Sequence, residues 1–310
     1  MEGNDVAKVA SHENRTRKLS DEQIALYRRD GMLRIPGLFD VEELEPLRGA
    51  FRDDPTLNGA LYGMVDLEGE PHPICIWTEL ADDIIGMIPR MARVVDATEA
   101  LLGEPCYHWH SKLTVKPPRC RARVDWHQDY ASWYDDGVLF PQMLTVAIAL
   151  EPATKANGCM QFIPGSHRMG RIDHRPVDGG FDSFWTRLET AKETLGLVHC
   201  ELDVGDAVFF HCNLFHGSGS NETDTTRPLL FPSYNAVSNA PIPGAQGANE
   251  EGAFMNISQA ERAFRPLEKL PDDVLRTQRY ESAFHHTRFK QPSEELGGTY
   301  SRAEQLDSRR

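Results

Sequence analysis

The stretch VDWHQD at residues 124–129 carries the first strong chemical signal in this chain of 310 residues. His127 and Asp129 lie two residues apart, so on an extended strand both side chains leave the same face. A second imidazole from a distant strand would complete two histidines and one carboxylate on one side of a metal ion. Such a set leaves coordination positions open, which is typical of non-heme Fe(II) oxygenases.

His216 is the candidate for the third ligand, because it follows the apolar run AVFF at 207–210 and opens into the flexible stretch GSGSN at 217–221. His211 competes for this role. On a continuous strand its odd spacing of five residues from His216 would turn it to the opposite face. Arg227 comes eleven residues after His216 and is able to bind a carboxylate through its forked N–H groups. The alternative for Arg227 is a surface residue ahead of Pro228.

Capping signals and hydrophobic patterns predict helices first and strands later in the chain. Helices are expected from Ser20 and Gln23 to Gly31, from Asp40 and Glu43 to about Phe51, and from Pro89 to Leu102 before Gly103. Strands are expected at Met32 to Ile35, Met143 to Leu150, Met160 to Ile163, Ala207 to His211 and Leu229 to Tyr234. Short strands separated by turn residues favour a sandwich or barrel that is mainly β with flanking helices.

Several motifs, in this order, resemble the phytanoyl-CoA dioxygenase family of Fe(II)/2-oxoglutarate-dependent oxygenases. They are LSDEQ at 19–23, GMLRIPG at 31–37, WHQD at 126–129, FIPGSH at 162–167, and HGS at 216–218 followed by Arg227. The resemblance covers about residues 19–237. It implies a double-stranded β-helix core of the jelly-roll or cupin-like type.

The resemblance also implies roles for individual residues. His127, Asp129 and His216 would bind Fe(II), and the competing interpretation is a structural hydrogen-bond cluster. Arg227 would pair with the far carboxylate of the cosubstrate 2-oxoglutarate, and Ser218 would add a hydrogen bond to it.

The resemblance places further cosubstrate contacts on the strand that precedes the VDWHQD stretch. His110 and Thr114 are separated by an even number of residues, so both side chains would face the site. Relatives often carry amide side chains at these two positions. Trp133 corresponds to a residue that lines the cosubstrate pocket in some relatives, and filling of the aromatic core is an equal alternative.

Two rival interpretations remain at this stage. His108 and His110 form a metal-like pair that would suit a differently metallated cupin site, but no glutamate follows at the spacing such a site needs. A non-catalytic jelly-roll protein that binds a ligand is the other rival. Such a protein has no physical need for the full set of ligands and Arg227.

The implied reaction is hydroxylation of an aliphatic carbon, with O2 consumed and succinate and CO2 released. Related halogenases carry a small residue where Asp129 stands, so the resemblance predicts a hydroxylase and not a halogenase. Desaturation and cyclisation are the variants of this reaction that stay open. The substrate is expected to be a small molecule or a secondary-metabolite intermediate. Ectoine is not favoured, because the sequence QDYASW at 128–133 departs from the ectoine hydroxylases.

Composition sets limits on the partners. A net charge of −14 disfavours a nucleic-acid surface, and no apolar run is long enough to span a membrane. The six scattered cysteines and the polar N-terminus without a secretory signal favour reduced thiols and a cytoplasmic location. The sequence gives no indication of the oligomeric state.

The expected organisation is a single dioxygenase domain over residues 19–287. A disordered lead-in at 1–18 precedes it and a polar tail at 288–310 follows. A helical insertion is expected at about 171–198.

Overall fold

The computed structural model describes residues 18–53, 61–173, 183–242 and 264–277, and the expected lead-in and tail lie almost wholly outside these ranges. Its strands are β1 (Met32–Ile35), β2 (Tyr62–Val65), β3 (Pro71–Trp77), β4 (Cys106–Lys116), β5 (Val124–His127), β6 (Met143–Ala149), β7 (Met160–Phe162), β8 (Val198–Cys200), β9 (Ala207–His211), β10 (His216–Ser218) and β11 (Arg227–Ala236). Its helices are α1 (Asp21–Asp30), α2 (Val41–Asp53), α3 (Ile84–Met87), α4 (Ala92–Leu102), α5 (Asp129–Asp135), α6 (Ser183–Leu195) and α7 (Val274–Thr277).

The strands form two antiparallel sheets that face each other. The larger sheet has the order β1-β9-β6-β11-β4-β3-β2, and the smaller has the order β5-β10-β7-β8. Alternate residues of the larger sheet point toward the smaller one, where they pack in a shared core: Ala147, Ala149, Val208, Phe210 and Leu229 meet Met160, Phe162 and Cys200. This is a double-stranded β-helix, as the family resemblance implied.

The outer face of the larger sheet is covered by the N-terminal helices. α1 begins with the expected capping box, in which the Ser20 side chain accepts from the Gln23 backbone and the Gln23 side chain accepts from the Ser20 backbone. It ends at Gly31, whose φ of 77° is the left-handed conformation that glycine adopts without strain. A side chain at this position would also collide with the His167 ring.

The predicted helix from Pro89 to Leu102 is wrong at its N-terminal end. Residues Ile88–Arg90 form one 3₁₀ turn, Met91 is extended, and the α-helix starts only at Ala92. The break occurs because Met91 forms a bridge to Leu270, with hydrogen bonds from Ala92 N–H to the Leu270 carbonyl and from Leu270 N–H to the Arg90 carbonyl. A segment far along the chain therefore interrupts a helix that local signals favour.

The C-terminal segment at 264–277 is bound to the N-terminal helices by buried charge. Arg93 forms an ion pair of 2.6 Å with Glu43, and it also donates to the Leu38 carbonyl and the Asp272 carbonyl. Both side chains of the Arg93–Glu43 pair are almost fully buried.

The expected helical insertion contains α6, and residues 174–182 of it lie outside the described residues. Phe184, Leu188 and Ala191 of this helix pack against Ile163 and Phe215, next to the smaller sheet.

All six cysteines are free thiols, as their scattered positions predicted. Within the described parts of the chain, no helix combines the length and apolar character needed to cross a membrane.

Candidate metal centre and cosubstrate pocket

Two histidines meet on the smaller sheet. β5 and β10 are antiparallel neighbours, and their register places His127 directly opposite His216. Residues opposite each other in such a pair share a face. The two imidazole centroids are 4.1 Å apart.

Each imidazole is oriented by its own backbone. His127 Nδ1 donates to the Asp125 carbonyl at 2.8 Å, and His216 Nδ1 donates to the Leu214 carbonyl at 2.9 Å. Both rings therefore present Nε2 as the atom available to a metal. Burial, reinforced by the His127 charge, lowers the pKa of His216 to about 3, which keeps it in the neutral form that binds metals.

Asp129 reaches the same side although the strand ends before it. β5 stops at His127, Gln128 stays extended with φ −118° and ψ 128°, and Asp129 is the first residue of α5. The alternation expected of a strand is thus kept over the positions that matter. Gln128 points the other way, and its amide donates to the carbonyls of Gly170 and Asn213.

The Asp129 carboxylate is buried among cationic and hydroxyl groups. Thr145 donates a hydrogen bond to Oδ2 at 3.1 Å, and the Lys112 ammonium lies 3.5 Å from Oδ1. Burial alone would raise the pKa of Asp129. Lys112 and the two imidazoles outweigh burial and hold this pKa well below its usual value. The side chain is therefore a carboxylate, ready to act as a ligand.

The ligand atoms of His127, Asp129 and His216 all lie within 4.8 Å of one another. Among the described residues, no other set of three or more histidine, cysteine or acidic side chains lies close enough together to share a metal ion. His211 is not part of it, because its ring packs against His167 with centroids 5.2 Å apart.

Arg227 and Ser218 are both buried in the interior of the protein. Arg227 is the first residue of β11 and is buried, and its Nε has no hydrogen-bond partner among the described residues. Ser218 comes two residues after His216, and its buried Oγ likewise lacks a partner within the described ranges. Burial lowers the pKa of Arg227 to about 10, so the guanidinium still carries its charge at neutral pH. A buried charge without a counter-ion is costly, and a bound anion would relieve that cost.

The other expected pocket residues are placed as follows. His110 and Thr114 are buried on β4, where they pair with Ser233 and Leu229 of β11 on the inward face. Trp133 lies on α5, and its ring meets the His110 ring edge-on at 5.6 Å. Trp133 also belongs to an aromatic core cluster, so its ring contacts both the core and a pocket residue.

The His108 and His110 pair does not form a second metal site. The pairing of β4 with β11 shifts register between Ser233 and Tyr234, which inserts an extra residue at Trp109. His108 is thereby directed to the Ser111 hydroxyl at 2.8 Å and the Thr78 carbonyl at 3.1 Å. The bulge removes the physical basis of the cupin alternative.

Several polar residues near the site were not singled out from the sequence. Thr145 supports Asp129, and the buried side chains of His72 and Lys116 face the interior near Arg227. The signal for Thr145 was its place in the otherwise apolar strand MLTVAIA. His72 and Lys116 carried no comparable signal, because their position depends on strand pairing.

Comparison with known proteins is decisive for the family. The model of the family described as Phytanoyl-CoA dioxygenase (PhyH) matches residues 27–229. The chain belongs to the phytanoyl-CoA dioxygenase family.

Proteins similar to this chain include two enzymes of known activity. The ectoine dioxygenase of Bordetella parapertussis is 28% identical over 268 residues, which cover 81% of this chain and 87% of that protein. The L-proline trans-4-hydroxylase of Streptomyces griseoviridis is 31% identical over 176 residues, which cover 52% and 66%.

Solved structures agree with this membership. EctD from S. alaskensis with bound Fe superimposes with a TM-score of 0.67 at 26% identity, and the same protein with 2-oxoglutarate and 5-hydroxyectoine gives 0.63 at 26%. Both comparisons cover 82% of this chain and 88% of the other. This phytanoyl-CoA dioxygenase family member is therefore a 2-oxoglutarate-dependent hydroxylase that uses Fe(II) and O2.

Proposed function

We propose that His127, Asp129 and His216 bind the Fe(II) of this hydroxylase, and that Arg227 and Ser218 bind the far carboxylate of 2-oxoglutarate. The observation that carries the proposal is the convergence of three ligand atoms within 4.8 Å. A buried arginine whose Nε has no partner in the described residues supports the cosubstrate part of it. Two imidazoles and one carboxylate are a donor set that suits Fe(II). The residues present therefore fit both groups.

The substrate of the proposed reaction is a small molecule that is hydroxylated at an aliphatic carbon. The relatives named for ectoine and L-proline support a compact polar substrate and not a macromolecule. Iron and 2-oxoglutarate supply the oxidising chemistry, in which O2 is consumed and succinate and CO2 are released. Asp129 occupies the position that related halogenases leave to a small residue, which supports hydroxylation.

The residues of the chain contribute orientation and exclusion of water. The Asp125 and Leu214 carbonyls hold the two imidazole rings, and Thr145 holds the carboxylate. The interior around them is lined by buried apolar side chains from both sheets, which keep water away from a reactive centre. His110, Thr114 and Trp133 are proposed to line the cosubstrate pocket on the side of β4.

The test is an anaerobic titration of the metal-free protein with Fe(II) and 2-oxoglutarate. A weak visible charge-transfer band should appear when both are present. The band should be lost in His216→Ala protein, which lacks a ligand, and in Arg227→Ala protein at the same cosubstrate concentration. His199→Ala is the matched control, because it also removes a histidine, but His199 lies on β8 and is not one of the three candidate ligands. Absence of a band in well-folded wild-type protein would contradict the proposal.

The substrate is then sought by measuring succinate release. Ectoine and L-proline are the first compounds, followed by other small carboxylic and amino acids. A substrate should raise the rate of succinate formation and yield one hydroxylated product per succinate. Asp129→Ala protein should release none, and full turnover by that variant would exclude Asp129 as a ligand.

A further inference from the structure

Three basic side chains form a row across the larger sheet. Lys116 on β4 pairs with Arg227 on β11. The register that joins Ile74 of β3 to Thr114 of β4, continued by two residues, brings His72 opposite Lys116. The charges of Lys116 and Arg227 both act on the His72 ring, in agreement with this register. Paired residues on neighbouring antiparallel strands share a face. His72, Lys116 and Arg227 therefore lie side by side on one face.

That face is the interior of the β-helix. The side chains of the adjacent residues point to the other face of the sheet, because side-chain direction alternates along a strand. These residues are Pro73, Val115 and Pro228, and all three line a groove on the outside of the sheet. His72 and Lys116 are fully buried, and Arg227 is almost fully buried.

Lys116 connects the row to β10, the strand that carries His216 and Ser218. Its ammonium donates to the carbonyl of Gly219, the residue after Ser218.

The three side chains differ in how their polar atoms are used. The Lys116 ammonium donates to the carbonyls of Ala122 and Gly219, so it has partners within the protein. His72 has none among the residues that the structure describes, since neither Nδ1 nor Nε2 finds a hydrogen bond. Buried polar side chains are nearly always hydrogen-bonded, and an imidazole with two unmet nitrogens is a clear exception. The same holds for Arg227 Nε and Ser218 Oγ.

The electrostatics of the row favour an anion. Burial, and then the charges of Lys116 and Arg227, lower the pKa of His72 to about 4. The ring is therefore neutral at pH 7, with one N–H to donate. Asp66 is the nearby acid, but its carboxylate accepts from the backbone of Glu68, Glu70 and Arg123 instead of pairing with the row.

We propose that His72 donates a hydrogen bond to the far carboxylate of 2-oxoglutarate, beside Arg227 and Ser218, and so contributes to the choice of a dicarboxylic 2-oxo acid as cosubstrate. The proposal rests on the assignment of this pocket under the proposed function. A carboxylate offers about four acceptor positions, enough for the arginine fork, the serine hydroxyl and one imidazole N–H. His72 acts here as a binding residue for the cosubstrate and not as a metal ligand.

The test compares two ligands and two ring side chains. 2-Oxoglutarate and 2-oxopentanoate share the 2-oxo acid end, but only the first has the second carboxylate. Their dissociation constants are measured by calorimetry on anaerobic Fe(II)-loaded protein. His72→Phe keeps a planar ring and removes the N–H. It should weaken 2-oxoglutarate binding by about 10-fold to 100-fold, the range for a lost hydrogen bond to a charged group. Binding of 2-oxopentanoate should not change.

Controls separate a carboxylate contact from packing. His199→Phe makes the same substitution outside the pocket and should leave both dissociation constants unchanged. His72→Asn restores an N–H donor and should recover part of the lost affinity. Equal weakening of both ligands by His72→Phe would overturn the proposal, because it would indicate a structural role. Unchanged 2-oxoglutarate affinity would overturn it as well.

A measurement on the wild-type protein removes any dependence on folding of the variants. With Zn(II) in place of iron, the ring ¹⁵N signals of His72 should shift when 2-oxoglutarate is added and should stay in place with 2-oxopentanoate. If the protein binds 2-oxoglutarate and the His72 ring signals do not shift, the proposed role of His72 is overturned and the proposed function is unaffected. Wild-type protein that binds neither acid in the presence of metal would instead contradict the proposed function.

Discussion

The Thr145 hydroxyl donates a hydrogen bond to the Asp129 carboxylate across 3.1 Å, and Thr145 in turn shares a 2.8 Å hydrogen bond with Ser233. The carboxylate of a candidate metal ligand is thus held from the opposite sheet. Groups that orient a ligand in this way typically change metal affinity by 10-fold to 100-fold when removed.

Thr145→Val should therefore weaken Fe(II) binding by about 10-fold, because valine keeps the shape and loses the donor. The measurement is a competition titration for the metal under anaerobic conditions. Thr98→Val is the matched control, since Thr98 is fully buried in α4 and its hydroxyl has no partner within the described residues. Equal metal affinity in wild type and Thr145→Val would show that Asp129 needs no such support.

Arg227→Met should have opposite effects on stability and on binding. Replacing a buried cation that lacks a carboxylate partner among the described residues should stabilise the ligand-free protein by about 1–4 kcal/mol. The same change should abolish the rise in melting temperature that 2-oxoglutarate gives the metal-loaded wild type. Thermal unfolding with and without 2-oxoglutarate measures both effects. Arg121→Met, at an exposed arginine, should alter neither.

His211 should make the stability of the metal-free protein depend on pH. Burial, with a smaller effect of His167, lowers its pKa to about 3, and its Nδ1 must stay unprotonated to accept from Asn213 N–H. In the unfolded chain the pKa is about 6.5, so between these values only the unfolded state binds the proton. Stability contributed by His211 is present above pH 6.5 and falls as the pH drops below it, by up to about 1.4 kcal/mol per pH unit.

Urea unfolding at pH 7.5, 6.5 and 5.5 tests this dependence on pH. His211→Asn keeps an acceptor for the Asn213 N–H but cannot be protonated. The free energies of unfolding of the variant and the wild type should therefore converge as the pH falls. Parallel curves over this range would contradict the assignment.

Arg93→Met should be strongly destabilising. The substitution takes the closest partner from buried Glu43, which keeps only the ion pair of 3.5 Å with Arg276, and it removes the bond to the Asp272 carbonyl. Such losses cost up to about 3–5 kcal/mol. Arg119→Met removes an ion pair of 2.8 Å with Asp224 in which both side chains are exposed, so it should cost less than about 1 kcal/mol. Urea unfolding measures both values. Similar losses for the two variants would show that burial of the Arg93 pair is unimportant.

Most of the fold was predictable because its signals are local. The capping box at Ser20, the glycine stop at Gly31 and the nearly continuous apolar run of β6 each depend on neighbouring residues only. The helix expected from Pro89 failed because Leu270, which no local pattern connects to it, pairs with Met91.

The candidate site was predictable in part. His127 and Asp129 are close in sequence, so a strand pattern was enough to place them on one side. The argument against His211 assumed one continuous strand, whereas β9 ends at His211 and a separate strand starts at His216. The structure nevertheless brings His216 to His127 and leaves His211 against His167.

The order and chemistry of the motifs are properties of the chain itself, and they were sufficient to indicate the β-helix and an iron-dependent oxygenase. The pairing of distant strands is not encoded in any one motif. It places His216 opposite His127, turns His108 away through a bulge, and sets His72 beside Lys116 and Arg227. The register of a sheet depends on the packing of both of its faces, and a slip of one residue would exchange the inner and outer side chains. Only the folded chain could therefore reveal the basic row and the unmet nitrogens of His72.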